Sequence, residues 1–269
     1  NAINNMTENE IFIMAEKKTY DFPTEVISLP SEGKGYPTDS PLSKGEIEIK
    51  YMTAREEEIL SSQNLIKKGV VLDMLFESII ADSSINPDDI LIGDKNAILL
   101  ATRILGYGAD YQVEVTDPFT LETQKVNIDL SKVQTKDIDD KLVSKDNTYS
   151  FTLPTLKTEI VFKLLSHKDE KDINAEIASL QRLTKSEVNQ EVSTRLRYMI
   201  LKVGDNDDRG FINKWVKNNL LARDSRALRK YIKEISPDLD LKYEFTSDIT
   251  GETEALDIPF GVGFFYPSE

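Results

Sequence analysis

The chain has 269 residues, enough for one large domain or two of ordinary size. Its formal net charge of −14 disfavours nucleic acid and anionic membranes as partners, because proteins usually bind such ligands through a basic surface. The absence of cysteine excludes disulfides, thiolate nucleophiles and thiolate metal sites, and no apolar run is long enough to predict a membrane span.

The chain begins with residues 1–13, a polar stretch that precedes Met14 and the ordinary-looking start "MAEKK". It has neither the basic beginning nor the apolar core of a secretory signal, so none is expected. We interpret residues 1–13 as an extension outside the fold.

The stretch "SLPSEGKGYP" at 28–37 places Lys34 between two glycines, a feature that raises the question of a phosphate-binding loop. A phosphate loop needs Ser or Thr directly after the lysine and a helix behind it. Here Gly35 and Tyr36 follow the lysine, and Pro37 disfavours a helix. We therefore predict a flexible or extended arm over 15–44 that leads into the first folded unit.

Two pieces of the chain resemble each other, "GEIEIKYMTAREEEIL" at 45–60 and "TEIVFKLLSHKDEKDI" at 158–173. Each begins with an alternating run that predicts a short strand. Thr53 and Ser166 follow at equivalent places, where a hydroxyl can cap a helix whose first turn carries acids.

A second matched pair follows in the same order, at 94–130 and 224–260, with Asp94 opposite Asp224. Each copy predicts a helix, a turn marked by Gly or Pro, and a β-hairpin. Helical patterns lie between the pieces at 62–80, 192–203 and 210–222. The predicted fold class is α+β, with two related units produced by internal duplication.

The same patterns predict the domain boundaries. We expect an N-terminal extension at 1–25, a first α+β unit at 26–135 with an arm at 26–44, an acidic linker at 136–149, and a second α+β unit with an aromatic C-terminus at 150–269.

His167 is the only histidine of the chain and stands next to Ser166. Nucleophilic catalysis would need a nucleophile and an orienting acid that both face the ring, and neighbours in sequence rarely do so. We predict a polar residue in a strand-to-helix turn.

The stretch "GDNDDRG" at 204–210 resembles the start of a calcium loop. Its third ligand position is Arg209 and its last is Val216, where a calcium loop has a bidentate glutamate. The prediction is a turn in which an aspartate caps a helix that begins near Asp208.

The predicted hairpin tips, "DPFT" at 117–120 and "SDIT" at 247–250, share the spacing of a zinc knuckle. Their Asp, Thr and Ser side chains cannot form a thiolate cage, so the prediction is a hydrogen-bonded turn without metal.

The C-terminal stretch "PFGVGFFYPSE" carries Phe264, Phe265 and Tyr266 close together. Aromatic residues at a terminus either complete the core or anchor a partner. Both interpretations stay open, with core completion slightly favoured because the segment continues directly from a strand.

Four stretches carry a resemblance to a known family: "SLPSEGKGYP", "GEIEIKYMTAREEEIL", "ILIGDKNAILLATRILGYGADYQVEV" and "FFYP". In their order they resemble the baseplate protein family of T-even-type contractile-tailed bacteriophages, from about Tyr20 to Pro267. The resemblance implies a baseplate hub subunit or hub assembly factor without catalytic residues. Members often carry Cys-x-x-Cys in the hairpins, which this chain lacks, so no metal role is transferred.

The predicted function is that of a non-enzymatic structural or assembly protein of the baseplate hub, assembled in the host cytoplasm and present in the virion tail. It would bind other phage baseplate or tail proteins within a multi-subunit assembly, with no catalytic residues, metal or cofactor. The candidate partner-binding residues are Lys34, Tyr36, Phe264, Phe265 and Tyr266. The alternatives are a transient chaperone for hub assembly that is absent from the virion, and an enzyme with an unrecognised carboxylate site.

Overall fold

The strands in the described part of this protein are short, and each pairs with antiparallel neighbours only. A computed structural model describes residues 22–184 and 190–266, without the side chains of 183 and 184. Eight α-helices accompany the strands in this part of the chain. The prediction of an α+β fold is confirmed. Most of the predicted extension at 1–25 lies outside the described residues.

The helices are α1 (Ala54–Ser61), α2 (Gln63–Lys68), α3 (Val71–Ile79), α4 (Ile92–Tyr107), α5 (His167–Thr184), α6 (Glu191–Met199), α7 (Arg209–Asn218) and α8 (Ala222–Ile235). The strands are β1 (Thr24–Ser28), β2 (Glu46–Lys50), β3 (Asp110–Thr116), β4 (Thr123–Asp129), β5 (Gln134–Thr135), β6 (Tyr149–Thr152), β7 (Glu159–Phe162), β8 (Ile200–Val203), β9 (Leu239–Asp240), β10 (Lys242–Thr246) and β11 (Thr253–Asp257).

The strands form one three-stranded sheet, β6-β7-β8, and four two-stranded pairs, β1-β2, β3-β4, β5-β9 and β10-β11. Two-stranded pairs are marginal by themselves in water, so each pair needs stabilising contacts with other parts of the fold. The alternation of buried and exposed residues along β2 and β7 turns one face of each strand towards the core.

One cluster of buried apolar residues runs through both halves of the chain. Ile98 and Leu99 of α4 lie in it together with Ile160 and Phe162 of β7. Because α4 is apolar around much of its circumference, it lies in the interior with little surface left to solvent. Among the described helices, none combines the length and the apolar character that crossing a membrane requires.

Backbone hydrogen bonds also join the two predicted units. The N–H of Ile92 donates to the carbonyl of Leu165 at 3.1 Å, and the N–H of His167 donates to the carbonyl of Ile90 at 2.8 Å. The pair β5-β9 connects residues 134–135 with 239–240. The predicted boundaries at 135 and 150 therefore separate segments that share one core, and the boundaries themselves stay a prediction.

Helix α1 and helix α5 begin with matching hydrogen bonds. The N–H of Thr53 donates to the Glu56 carboxylate at 2.8 Å, and the N–H of Ser166 donates to the Asp169 carboxylate at 3.0 Å. A lysine of the preceding segment pairs with each acid, at 2.8 and 2.7 Å. These contacts fix the helix starts as capping motifs do.

Helices α4 and α8 carry a second set of matching contacts. Asp94 accepts from the N–H of Ser31 at 2.9 Å, and Asp224 accepts from the N–H of Thr155 at 2.8 Å. Ser31 and Thr155 each follow a Leu-Pro dipeptide. A duplicated unit is expected to have such equivalent contacts, and the duplication stays a prediction.

The segment from 28 to 45 is a compact loop, which corrects the prediction of an extended arm over the described part of 15–44. The N–H of Leu29 donates to the carbonyl of Gly45 at 2.8 Å, and Leu42 is buried. The chain turns back because Gly33 and Gly35 adopt φ angles of +82° and +87°, which glycine tolerates without steric cost.

We expect that Gly33→Ala destabilises the protein by about 2 kcal/mol, because the left-handed backbone is strained for alanine. The added Cβ would also lie 2.2 Å from the carbonyl oxygen of Ser43. Urea unfolding at neutral pH measures the effect. Gly69→Ala is the matched control, since Gly69 has φ +71° and nothing within 4 Å of the added Cβ. Equal losses in the two variants would contradict the role of the close approach.

Candidate functional site

Asp94, in the first turn of α4, is the buried acid that holds the 28–45 loop. Its carboxylate accepts from Ser31 Oγ at 2.7 Å and from the Tyr36 hydroxyl at 2.5 Å, in addition to the N–H of Ser31. The Tyr36 oxygen accepts in turn from the N–H of Leu91 at 2.9 Å. Burial raises the pKa of Asp94 and also the pKa of Tyr36. The carboxylate is thus surrounded by donors of its own fold.

Lys34 belongs to this loop, and its side chain is partly exposed at the surface. Its Nζ is 2.7 Å from the Asp140 carboxylate and 3.4 Å from that of Glu32. The hydrogen bond to Asp140 raises the pKa of Lys34. The loop is therefore tied to the predicted linker at 136–149 by an exposed ion pair, a kind of contact that contributes little to stability.

The C-terminal aromatic residues lie at the other end of α4. Phe264 and Phe265 are buried, and the Phe264 and Tyr111 rings form a T-shaped pair with 5.0 Å between their centroids. Tyr266 is 41% exposed, and its hydroxyl donates to the carbonyl of Leu60. Core completion is confirmed for Phe264 and Phe265.

The five candidate partner-binding residues are thus divided between the two ends of α4. The side chains of Tyr36, Phe264 and Phe265 are enclosed by their own chain, whereas Lys34 and Tyr266 reach the surface. A partner-binding role stays a prediction for all five residues. Of these, only Lys34 and Tyr266 have side-chain surface that a partner could contact.

Arg103, near the C-terminal end of α4, is a buried residue that the sequence analysis missed. Its guanidinium donates to three carbonyl oxygens, those of Phe264 at 2.8 Å, Gly108 at 2.6 Å and Asp110 at 3.1 Å. Burial lowers its pKa. The available signal was an arginine within the apolar run "AILLATRILGY", where a charged side chain must find partners inside the fold.

His167 begins α5 directly after β7 and its loop, as predicted for a strand-to-helix turn. Its side chain is fully buried, with Nε2 3.3 Å from the Glu77 carboxylate and Nδ1 3.8 Å from that of Asp73. The His167 and Phe76 rings pack in a T-shaped arrangement, with 4.7 Å between their centroids. Within the described part of the chain, Nδ1 has no hydrogen-bond partner.

Asp73, His167 and Glu170 place three potential metal ligands within 4.8 Å of one another. Lys95 already bridges the two carboxylates, with Nζ 2.9 Å from Asp73 and 2.8 Å from Glu170. Because the ammonium lies between the two carboxylates and binds both, a divalent cation would have to displace it. The residues fit an ion-pair network better than a metal site.

A second such group, Glu77, Asp88 and His167, has the same construction. Lys171 lies 2.8 Å from the Glu77 carboxylate and 2.6 Å from that of Asp88. The hydrogen bond to Asp88 raises the pKa of Lys171, so it stays charged. His167 therefore lies between two acid pairs that are each bridged by a lysine.

We expect the stability of the protein to fall as the pH is lowered through the ordinary range of histidine. Burial, together with the charge of Lys95, lowers the pKa of His167 in the folded state. On acidification His167 therefore takes up a proton more readily in the unfolded chain than in the folded chain, and this difference favours unfolding. Thermal unfolding between pH 7.5 and 5.5 measures this effect.

The control for this pH dependence is His167→Phe, which removes the only histidine of the chain and keeps an aromatic ring beside Phe76. The difference between the two pH profiles isolates the imidazole. If both proteins lose the same stability on acidification, His167 is not the group responsible.

The "GDNDDRG" turn is confirmed as a helix cap. The Asp208 carboxylate accepts from the N–H of Phe211 at 2.7 Å at the start of α7. The Arg209 guanidinium donates hydrogen bonds to the carbonyls of Ile200 and Arg197, which precede it in the chain. This use of Arg209 follows from its place beside β8 rather than from any ion-binding geometry.

The two hairpin tips are confirmed as hydrogen-bonded turns with equivalent contacts. Asp117 Oδ1 accepts from the backbone N–H groups two and three residues later, at 2.8 and 3.2 Å. Ser247 Oγ accepts from the corresponding groups at 3.3 and 3.1 Å. Ser247 Oγ also donates to Asp117 Oδ2 at 2.5 Å, which joins one tip to the other.

The comparisons with known proteins add a family to this geometry. The family model described as "T4 bacteriophage base plate protein" matches residues 24–253. Neither the search of curated proteins nor that of solved structures finds a match. The matched range runs from β1 to the start of β11 and thus covers most of the fold. The chain therefore belongs to the T4 bacteriophage base plate protein family and is a structural protein of a phage tail baseplate.

Proposed function

We propose that this protein acts in the hub region of a contractile-tail baseplate, as a non-enzymatic structural or assembly component. It binds other baseplate or tail proteins within a multi-subunit assembly, is assembled in the host cytoplasm and remains in the virion. The observation that carries the proposal is the match to a baseplate family over residues 24–253, which covers most of the chain.

The use of the buried acids supports a non-enzymatic role. Asp94 and Glu56 accept from donors of their own fold, and Asp224 accepts from two backbone N–H groups. A pocket of about 220 Å³ lies beside Asp94 and Asp238, where a carboxylate enzyme would bind its substrate. Asp238 Oδ1 already accepts a hydrogen bond from the Asn96 side chain at 3.0 Å. Both acids of the pocket are therefore engaged in hydrogen bonds within the fold.

Quantitative mass spectrometry of purified virions tests the proposal and separates it from a transient chaperone. A permanent component is expected in a fixed ratio to other baseplate proteins. A chaperone would be absent from virions although tails fail to form without it. Normal, infectious tails from a phage that lacks this protein would overturn both roles.

A further inference from the structure

The two hairpin tips expose apolar side chains at adjacent places. Leu121 is 78% exposed, Ile249 62% and Phe119 38%, and these three residues are here called the tip surface. The hairpins that carry them are held together, because the Gln124 side chain donates to the carbonyl of Thr246 and accepts from the N–H of Asp248, both at 3.0 Å. Exposed apolar side chains that lie close together on a rigid part of the fold are typical of interaction sites.

Leu121 has a backbone conformation that disfavours leucine. Its φ angle is +63°, and the equivalent residue of the second tip is Gly251 with φ +73°. The matching bonds are the N–H of Leu121 to the carbonyl of Asp117 and the N–H of Gly251 to that of Ser247, at 2.8 and 2.9 Å. Leu121 therefore strains the fold without filling its core, which points to a contact outside this chain.

Acids surround the tip surface. The stretches 116–124 and 246–254 contain Glu122, Asp248 and Glu252 at exposed positions, and neither stretch contains a lysine or arginine. Such a projection repels another copy of itself, nucleic acid and anionic lipid. It fits an apolar recess with a basic rim.

The same chain has a recess of this kind between α3 and α5. The groove has a volume of about 480 Å³ and is lined by Val70, Met74, Ala175 and Ala178. Met74 is 41% exposed there, and methionine adapts its shape to an incoming side chain.

The rim of this groove carries Lys68, Lys171 and Arg182. Lys171 already pairs with Glu77 and Asp88. Among the described residues, no acid forms an ion pair with Lys68 or Arg182, so these two cations can bind the acids around a tip surface. The groove also contains Asp73 and Glu77, but Lys95 and Lys171 already pair with these two acids.

We propose that copies of this protein associate head to tail, with the tip surface of one copy in the α3–α5 groove of the next. This deepens the proposed function, on which it rests, by naming one contact of the multi-subunit assembly. Because the two surfaces differ, each copy keeps one of them free, and the contact repeats into a ring or an open chain. A second copy is the occupant because it supplies both the apolar knob and the oppositely charged recess.

Mixing two complementary variants tests the contact. The tip variant is Leu121→Gly with Ile249→Ser, and the groove variant is Ala178→Glu, which narrows the recess and adds a charge that repels the acids. Sedimentation equilibrium should show self-association of the wild-type protein, weakened by salt, and monomers for each variant alone. An equimolar mixture should form heterodimers and nothing larger, because only one intact pair of surfaces remains.

Two further proteins show whether the variants act through the contact or through misfolding. Leu121→Gly alone should weaken self-association while its Tm stays equal to or above that of the wild type, since glycine relieves the strained backbone. Leu142→Ser, which removes an exposed apolar side chain outside both surfaces, should associate like the wild type.

A wild-type protein that stays monomeric at every accessible concentration, or a mixture of variants without heterodimers, would overturn the proposal. So would tip variants that fail to join the baseplate although the wild-type protein is monomeric, because the tip surface would then bind a different protein. In each of these cases detection of the chain in virions would leave the proposed function standing.

Discussion

Replacing Asp94 by alanine is expected to lower the free energy of unfolding by about 3 to 5 kcal/mol, among the largest effects of any single substitution in this chain. The change removes the acceptor of three hydrogen bonds, from the N–H and Oγ of Ser31 and from the Tyr36 hydroxyl. The Ser31 and Tyr36 side chains are buried, so water cannot replace the lost acceptor without rearrangement of the loop. Urea denaturation at neutral pH measures the change.

Asp94→Asn is the control for charge, since it keeps a carbonyl acceptor of nearly the same shape. Burial raises the pKa of Asp94, so the folded chain takes up this proton more readily than the unfolded chain does. Its contribution to stability is therefore greatest at low pH and decreases as the pH rises above the ordinary range of aspartate. The asparagine variant should lose less stability than the alanine variant, and it should lack this pH dependence. An alanine variant as stable as the wild type would contradict the role of Asp94 in holding the loop.

Replacing Arg103 by methionine is expected to cost about 3 kcal/mol of stability and to release the C-terminal aromatic segment. Methionine fills part of the volume, but it leaves the carbonyls of Gly108, Asp110 and Phe264 without their donor. The arginine also lies over the rings of Tyr107, Tyr111 and Phe264 at 5.6 to 5.9 Å, and these contacts are lost as well.

Hydrogen exchange measures the local part of this effect. The amides of Phe264 and Tyr266 donate to the carbonyls of Gly261 and Gly263, and they should lose protection before the rest of the fold does. Arg103→Lys keeps the charge but cannot bind three carbonyls with one planar group, so an intermediate loss is expected. Unchanged protection of these two amides in the methionine variant would show that the segment is held by apolar packing alone.

Local patterns in the sequence predicted most elements of the fold. The strand-to-helix motifs around Thr53 and Ser166 have their capping carboxylates in place, and both hairpin tips form the predicted turns. In these features a side chain forms hydrogen bonds with backbone groups only a few residues away. Donor and acceptor therefore lie within the same short stretch of sequence, and the stretch alone predicts the contact.

The conformation of the loop from 28 to 45 could not be predicted from local sequence patterns. Its glycines and prolines predict a flexible or extended arm, because a local sequence pattern does not distinguish an exposed turn from a packed one. The acceptor that holds Ser31 and Tyr36 lies 63 and 58 residues further along the chain. Because Asp94 binds the loop from the interior, the glycines with positive φ angles allow a tight turn and do not make the segment flexible.

The sequence by itself determined the α+β class, the strand-to-helix motifs and hairpin turns, and the exclusion of thiolate chemistry through the absence of cysteine. Only the tertiary structure decided that Arg103 serves three carbonyls, that lysines bridge the acids around His167, and that Asp117 and Ser247 join the two tips. The physical reason is the range of the interactions. Periodicity and capping act within one element, whereas the partners of a buried charge and the position of an exposed knob depend on how elements far apart in sequence pack together.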